Sequence, residues 1–170
     1  MAYGITPTIG VDLTATFTDL TSADNSGRTP SLGEEVTTDD GGSALFVKAA
    51  SAITKSMTLH VTSANSAAPI TQALAVTPGR IAFAQYAGIA ADSYGWVKTR
   101  GKVSILALAA CNANVPLYTS DSPGVLDDAT TTATNFQVNG VMLESSAGGS
   151  TATTSAFAAS YPTILRSLNA

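Results

Sequence analysis

Apolar and polar residues alternate along much of this chain with a period of two. Over 11–18, Val11, Leu13, Ala15 and Phe17 fall on one side, and Asp12, Thr14, Thr16 and Thr18 on the other. Met57, Leu59 and Val61 alternate with Thr58, His60 and Thr62 in the same way. Successive side chains of a strand point to opposite faces, so the pattern predicts strands with one face on a core and one toward water. Shorter apolar runs rich in β-branched residues predict further strands over 44–49, 70–76, 80–86, 95–100, 102–108, 136–143 and 151–159.

Turn residues separate these runs: Asp39-Asp40-Gly41-Gly42, Pro78-Gly79, Ser122-Pro123-Gly124, Asn139-Gly140 and Gly148-Gly149. Pro fixes φ and Gly permits the positive φ that tight reversals need. Asn139-Gly140, between two apolar runs, suits either a hairpin turn or a bulge. Many short strands with frequent turns predict an all-β fold, a compact antiparallel β-barrel or sandwich. Helix is expected at most in a short turn over 109–114 and in the tail 156–168, where Pro162 argues against one continuous helix. Residues 1–42 differ, because one strand is followed by a run of Thr, Ser, Asp, Asn and Gly with little to bury. They read as an extended N-terminal arm on a β-rich body, residues 43–170, and as ordered against something else. A first strand with a long surface loop is the other reading. If residues 1–42 are an arm, removing them leaves the body's melting transition in place.

A length of 170 residues suits one domain with a core. Only 12% of the residues are charged, about half the usual share, so Thr, Ser, Asn and Gln must supply most of the polar surface. A net charge of −4 offers no concentrated cationic surface for nucleic acid. The acids are unevenly placed. Residues 12–40 hold seven of them against Arg28 alone, a net −6 that leaves +2 elsewhere. This is either a surface with its own partner or a solvated acidic loop. No apolar stretch reaches bilayer length, and the first residues lack the basic start and apolar run of a secretory signal. No membrane partner is expected.

The reactive residues are few and scattered. His60, the only histidine, lies on the Thr-lined face of its strand and is expected to face water. Cys111 is the only cysteine, which excludes an intramolecular disulfide and multi-thiolate zinc clusters. With no basic neighbour to lower its pKa, it reads as a small buried hydrophobe. No nucleophile elbow, phosphate loop, dinucleotide fingerprint or zinc-protease motif is present. Asp127 and Asp128, adjacent on a strand, would point to opposite faces and make a poor acid/base pair. They read as turn residues, or with Asp121 and backbone carbonyls as a calcium site whose spacing is not that of an EF-hand. Asp19, Asp24 and Asn25 offer a weaker version. The expectation is a non-enzyme with no catalytic residue, cofactor or metal.

The segment Tyr94-Gly95-Trp96-Val97-Lys98-Thr99-Arg100-Gly101 carries more information. As a strand it places Tyr94, Trp96, Lys98 and Arg100 on one face. Rings beside cations suit a contact surface, where Trp and Arg are favoured. The competing arrangement buries Trp96 and lets the charged tips reach solvent. With Val11, Leu13 and Phe17 on the apolar side of the arm, these four are the candidate interface residues.

Several phrases carry a resemblance. They are 46–53 (FVKAASAI), 79–85 (GRIAFAQ), Tyr94-Gly95-Trp96-Val97 with Arg100-Gly101, 115–119 (VPLYT), 123–129 (PGVLDDA), Val138-Asn139-Gly140-Val141 and Tyr161-Pro162. In this order, over roughly residues 43–163, the chain resembles the head decoration, or capsid cement, proteins of tailed bacteriophages. The resemblance implies a β-rich protein made in the host cytoplasm and added to the outer surface of the capsid. There it would clamp neighbouring major capsid protein subunits together, as a homo-oligomer and most commonly a trimer. It also implies an arm that touches the shell, although no family phrase falls within residues 1–42, and it carries no catalytic residue. A virion-displayed glycan-binding module, using Trp96 as its aromatic platform, and another head or tail structural component are the alternatives.

Overall fold

The computed structural model describes residues 10–23, 27, 29–129 and 135–165. The strands follow in order: β1 (Thr16–Phe17), β2 (Glu35–Thr37), β3 (Ser43–Ala49), β4 (Thr58–Val61), β5 (Ser66–Pro69), β6 (Arg80–Phe83), β7 (Tyr94–Ala107), β8 (Leu117–Thr119), β9 (Val125–Asp127), β10 (Gln137–Leu143) and β11 (Ala152–Leu165). One helical turn, α1 (Gln72–Ala75), lies between β5 and β6. Strand accounts for 44% of the described residues and helix for 3%, so the fold is all-β.

Five strands close on themselves. β3 pairs with β5, β5 with β4, β4 with β6, β6 with β7, and β7 returns to β3, giving a closed five-strand barrel. Its inward residues, among them Leu45, Val47, Leu59, Val61 and Val97, form one buried cluster. β7 then leads into a second circuit through β9, β8, β10 and β11 and back to β7. Val103, Ile105, Leu117, Leu126, Val138 and Leu143 fill it, joined by Ile81 and Phe83 of β6 and by Ile70, just after β5.

The 14-residue strand β7 is common to both circuits. Residues up to Arg100 pair with β3, and residues from Gly101 pair with β11. Gly101 has φ +96, next to a register shift between β3 and β7. That φ lies outside what side chains tolerate, and glycine there lets one strand change partners without stopping.

Several expectations are corrected. The stretch 11–18 is a strand only at Thr16–Phe17, where β1 pairs with β7. Asp12 caps its own backbone instead, its Oδ1 accepting from Thr14 N–H at 2.9 Å while Ala15 N–H donates to Asp12 O, the local competition that Asp offers to extended structure. The stretch 70–76 is not a strand. Thr71 Oγ1 accepts from Leu74 N–H at 3.2 Å and starts α1, a typical N-cap role. The runs 95–100 and 102–108 belong to one strand, β7. The tail is strand through Leu165 rather than helix. Residues 109–114 form turns. Asn139-Gly140 lies inside β10 at an irregularity in the β10–β11 pairing, and Pro162 of β11 falls in the same irregularity. A bulge is where a residue without an N–H is tolerated in a sheet.

His60 does not face water. It is 1% exposed, because the chain from α1 to β6 covers the outer face of β4. Its Nε2 lies 3.3 Å from both the carbonyl oxygen and Oγ1 of Thr77. Gly79 passes directly over the imidazole, and a Cβ there would overlap Nε2, Cε1 and Cδ2 of His60. Gly79→Ala is therefore expected to cost about 1–3 kcal/mol by overpacking, read as a lower denaturation midpoint with an unchanged slope. A wild-type midpoint would mean that the 77–80 turn moves freely away from His60.

Candidate functional site

The seven candidate interface residues converge on one place, the outer face of β3 and β7. Trp96 stands opposite Phe46 of β3, and Tyr94 opposite Phe17 of β1. The rings pack in sequence: Phe17 edge-on to Phe46 with centroids 5.6 Å apart, Phe46 tilted against Trp96 at 5.1 Å, and Phe46 stacked with Tyr94 at 6.3 Å. Val11, Leu13, Ala15 and Val36 from the N-terminal segment, with Tyr86, complete the cluster. Trp96 is 1% exposed and Phe17 5%. The face is thus covered by the chain's own Val11, Leu13, Ala15, Phe17 and Val36. Val11, Leu13 and Tyr94 are half-buried around it.

The cations on this face are also engaged. Lys98 Nζ pairs with Asp40 Oδ2, the Lys98 side chain being 5% exposed and that of Asp40 40%. Arg100 is half-buried and its Nε donates to Ser43 Oγ at 2.6 Å. Asp40 is held down to about 2 by the hydrogen bond from Lys98, then by the Thr38 hydroxyl, with Gly42 N–H helping. The Tyr86 hydroxyl is pushed up to about 12, mainly by burial and then by Asp40 and Asp39.

A carboxylate whose folded pKa lies below its unfolded one adds stability above the unfolded value and loses it as pH falls through the folded value. Asp40 therefore stabilises the fold above about pH 4, and the effect disappears as pH approaches about 2. Asp40→Asn leaves a covered ammonium without its counter-charge. The expected loss at pH 7 is about 1–2 kcal/mol, moderated because Asp40 is partly solvated. Urea denaturation should show the wild-type and variant midpoints converging between pH 4 and pH 2. A constant gap would exclude the ion pair as its source.

The alternative calcium group of Asp121, Asp127 and Asp128 does not assemble among the described residues. Asp121 Oδ1 accepts from Gln72 Nε2 at 2.6 Å, away from Asp127 and Asp128. Asp19 caps its own turn, accepting from Thr21 and Ser22 N–H at 2.8 and 3.0 Å. These bonds, led by that from the Thr21 hydroxyl, hold its carboxyl down to about 2. Asp24 and Asn25 lie outside the described residues. Asp127 and Asp128 do come together, because β9 ends at Asp127 and the alternation ends with it. Cys111 joins them, wholly buried, its thiol pushed up to about 11 by burial and then by Asp128 and Asp127.

A further pair of residues escaped the sequence reading. Met142 of β10 and Phe157 of β11 stand directly opposite each other, 51% and 54% exposed. Phe157 is also opposite Lys102 of β7, which pairs with Glu144 at 3.1 Å. The signal was present: Val141 and Leu143 point inward, as do Ala156 and Ala158, which leaves Met142 and Phe157 on the outward parity.

No helix among the described residues is long and apolar enough to cross a membrane. No protein-family model matches the chain, and no curated protein matches it in sequence.

Proposed function

We propose that this chain is a structural virion protein of the capsid decoration type. It binds the outer surface of a tailed-bacteriophage capsid, with the major capsid protein and further copies of itself as partners, and clamps neighbouring shell subunits as a homotrimer. The observation that carries the reading is the ordered set of phrases resembling head decoration proteins. Each of those phrases includes part of a strand of the two closed circuits, β3, β6, β7, β8, β9, β10 or β11, several of them extending into the adjoining turns. Low charge and an exposed apolar pair at Met142 and Phe157 suit a protein that acts by broad contact. A cement protein stabilises by mass action, binding the assembled lattice and not free subunits. Many copies in closed symmetry convert modest contacts into avidity.

The test is the mass of the purified protein by light scattering, followed by co-sedimentation with undecorated capsids. A trimer that pellets with capsids is the expected result. A monomer that stays in the supernatant ends the reading. The glycan-binding alternative rested on Trp96 as a platform, and with that ring covered no observation favours it.

A further inference from the structure

A cleft of about 400 Å³ lies at the end of β4, lined by Val61, Thr62, Ser63, Pro78, Gly79 and Arg80. One wall is the turn into β5, fixed by Thr62 N–H donating to Ser66 O at 2.9 Å and Asn65 N–H to Thr62 O at 3.0 Å. The other is the turn seated on His60, where a side chain larger than that of Gly79 would collide with the imidazole. Arg80 opens β6 opposite Val61 and is half-buried. It donates from Nη2 to Asn65 Oδ1 at 3.0 Å and belongs to none of the ion pairs of the described residues. A guanidinium carries five N–H donors in a fork that grips a carboxylate with two at once. The cleft therefore offers a carboxylate a cation without a counter-charge, the exposed Ser63 hydroxyl and an apolar floor, and no acid lines it.

Most acids of residues 12–40 are already engaged. Asp12 and Asp19 cap their own turns, Glu34 accepts from Ser31 N–H at 3.1 Å, and Asp40 pairs with Lys98. Glu35 and Asp39 are exposed and join no ion pair of the described residues. Glu35 opens β2, which pairs with β3 alone and leaves its other edge open, and Asp39 lies in the turn that follows. Glu35 and Arg80 also line one small cavity of about 70 Å³ without forming a pair. Both signs of charge thus stand side by side, each left for another molecule, which makes the surface complementary to a copy of itself.

We propose that copies of this chain meet here, the Arg80 cleft of one receiving the Glu35 and Asp39 carboxylates of the next. The uneven charge has the same sense, a net −6 over residues 12–40 against +2 elsewhere. The inference rests on the self-association in the capsid reading and names the surface that makes it. Pairs of this kind stay partly solvated, so they fix register and partner more than they add affinity, and salt weakens them.

The measurement is light scattering of the full chain against its own concentration, at about 0.05 M and about 0.5 M salt. The wild type should associate and the added salt should weaken it. Arg80→Glu should weaken association at low salt by at least about tenfold, and so should the double variant Glu35→Gln/Asp39→Asn, with circular dichroism spectra unchanged. The deciding step mixes the two variants at a concentration where neither associates alone. The mixture should associate again, because the acids of the first chain meet the intact Arg80 of the second, and a folding defect in one chain is not repaired by the other. A wild type that stays monomeric, an Arg80→Glu chain that associates as tightly as the wild type, or a mixture that stays dissociated would each overturn the surface. Capsid co-sedimentation is scored apart. A wild type that pellets with capsids and associates with Arg80 replaced overturns this inference alone, and one that associates through Arg80 and ignores capsids overturns the capsid reading alone.

Discussion

A chain lacking residues 1–42 is expected to melt about 10 °C or more below the full chain, rather than at the temperature an independent arm would allow. Val11, Leu13, Ala15, Phe17 and Val36 of that segment cover the outer face of β3 and β7, and their removal uncovers Phe46 and Trp96, both 1% exposed. If roughly 100 Å² of each ring returns to water, the cost at about 25 cal/mol per Å² is about 5 kcal/mol. Removal also takes β2 from the edge of β3 and Asp40 from Lys98. The segment's own burial and its ordering entropy oppose one another and leave the uncovered body as the main difference. Differential scanning calorimetry of the two chains measures it. Equal melting temperatures would mean that the contacts of residues 11–40 with β3 and β7 do not hold in solution, and the segment would then be free to act as an arm.

The same face shows what the sequence carried and what it did not. The alternation in 11–18 put Val11, Leu13, Ala15 and Phe17 on one side, and all four do join one cluster. The pattern reports which side is apolar, and it is silent on whether the backbone pairs. The Asp12 turn decided that. Alternation likewise separated His60 from Leu59 and Val61, but only the covering turn with Thr77 and Gly79 explains why His60 is buried. The sharing of β7 between two circuits was hidden, because Gly101 looks like a break between strands when it is a joint within one. The parallel pairings of β3 with β5 and of β7 with β9 were hidden too, since short turns signal only antiparallel neighbours. The meeting of Cys111 with Asp127 and Asp128 depends on one of these parallel pairings and had no local signature.

Trp96→Ala is expected to cost about 3–5 kcal/mol, the range for truncating a fully buried aromatic, and Trp96→Phe about 1 kcal/mol or less. Truncation to Ala removes the ring that packs 5.1 Å from Phe46, a pair worth about 0.5–1.5 kcal/mol beyond its area, and leaves a cavity under residues 11–17. Phe keeps most of that contact. It also removes the indole N–H, which is buried and has no acceptor among the described residues. An unsatisfied buried donor costs about 1–3 kcal/mol, enough to offset much of the area that Phe gives up. Because Trp96 is the only tryptophan, unfolding must be followed by circular dichroism in guanidinium, with unchanged slopes required for the comparison. A Phe variant as unstable as the Ala variant would show that Nε1 finds a partner in solution and that the indole's polar edge contributes to holding the N-terminal segment against β3 and β7.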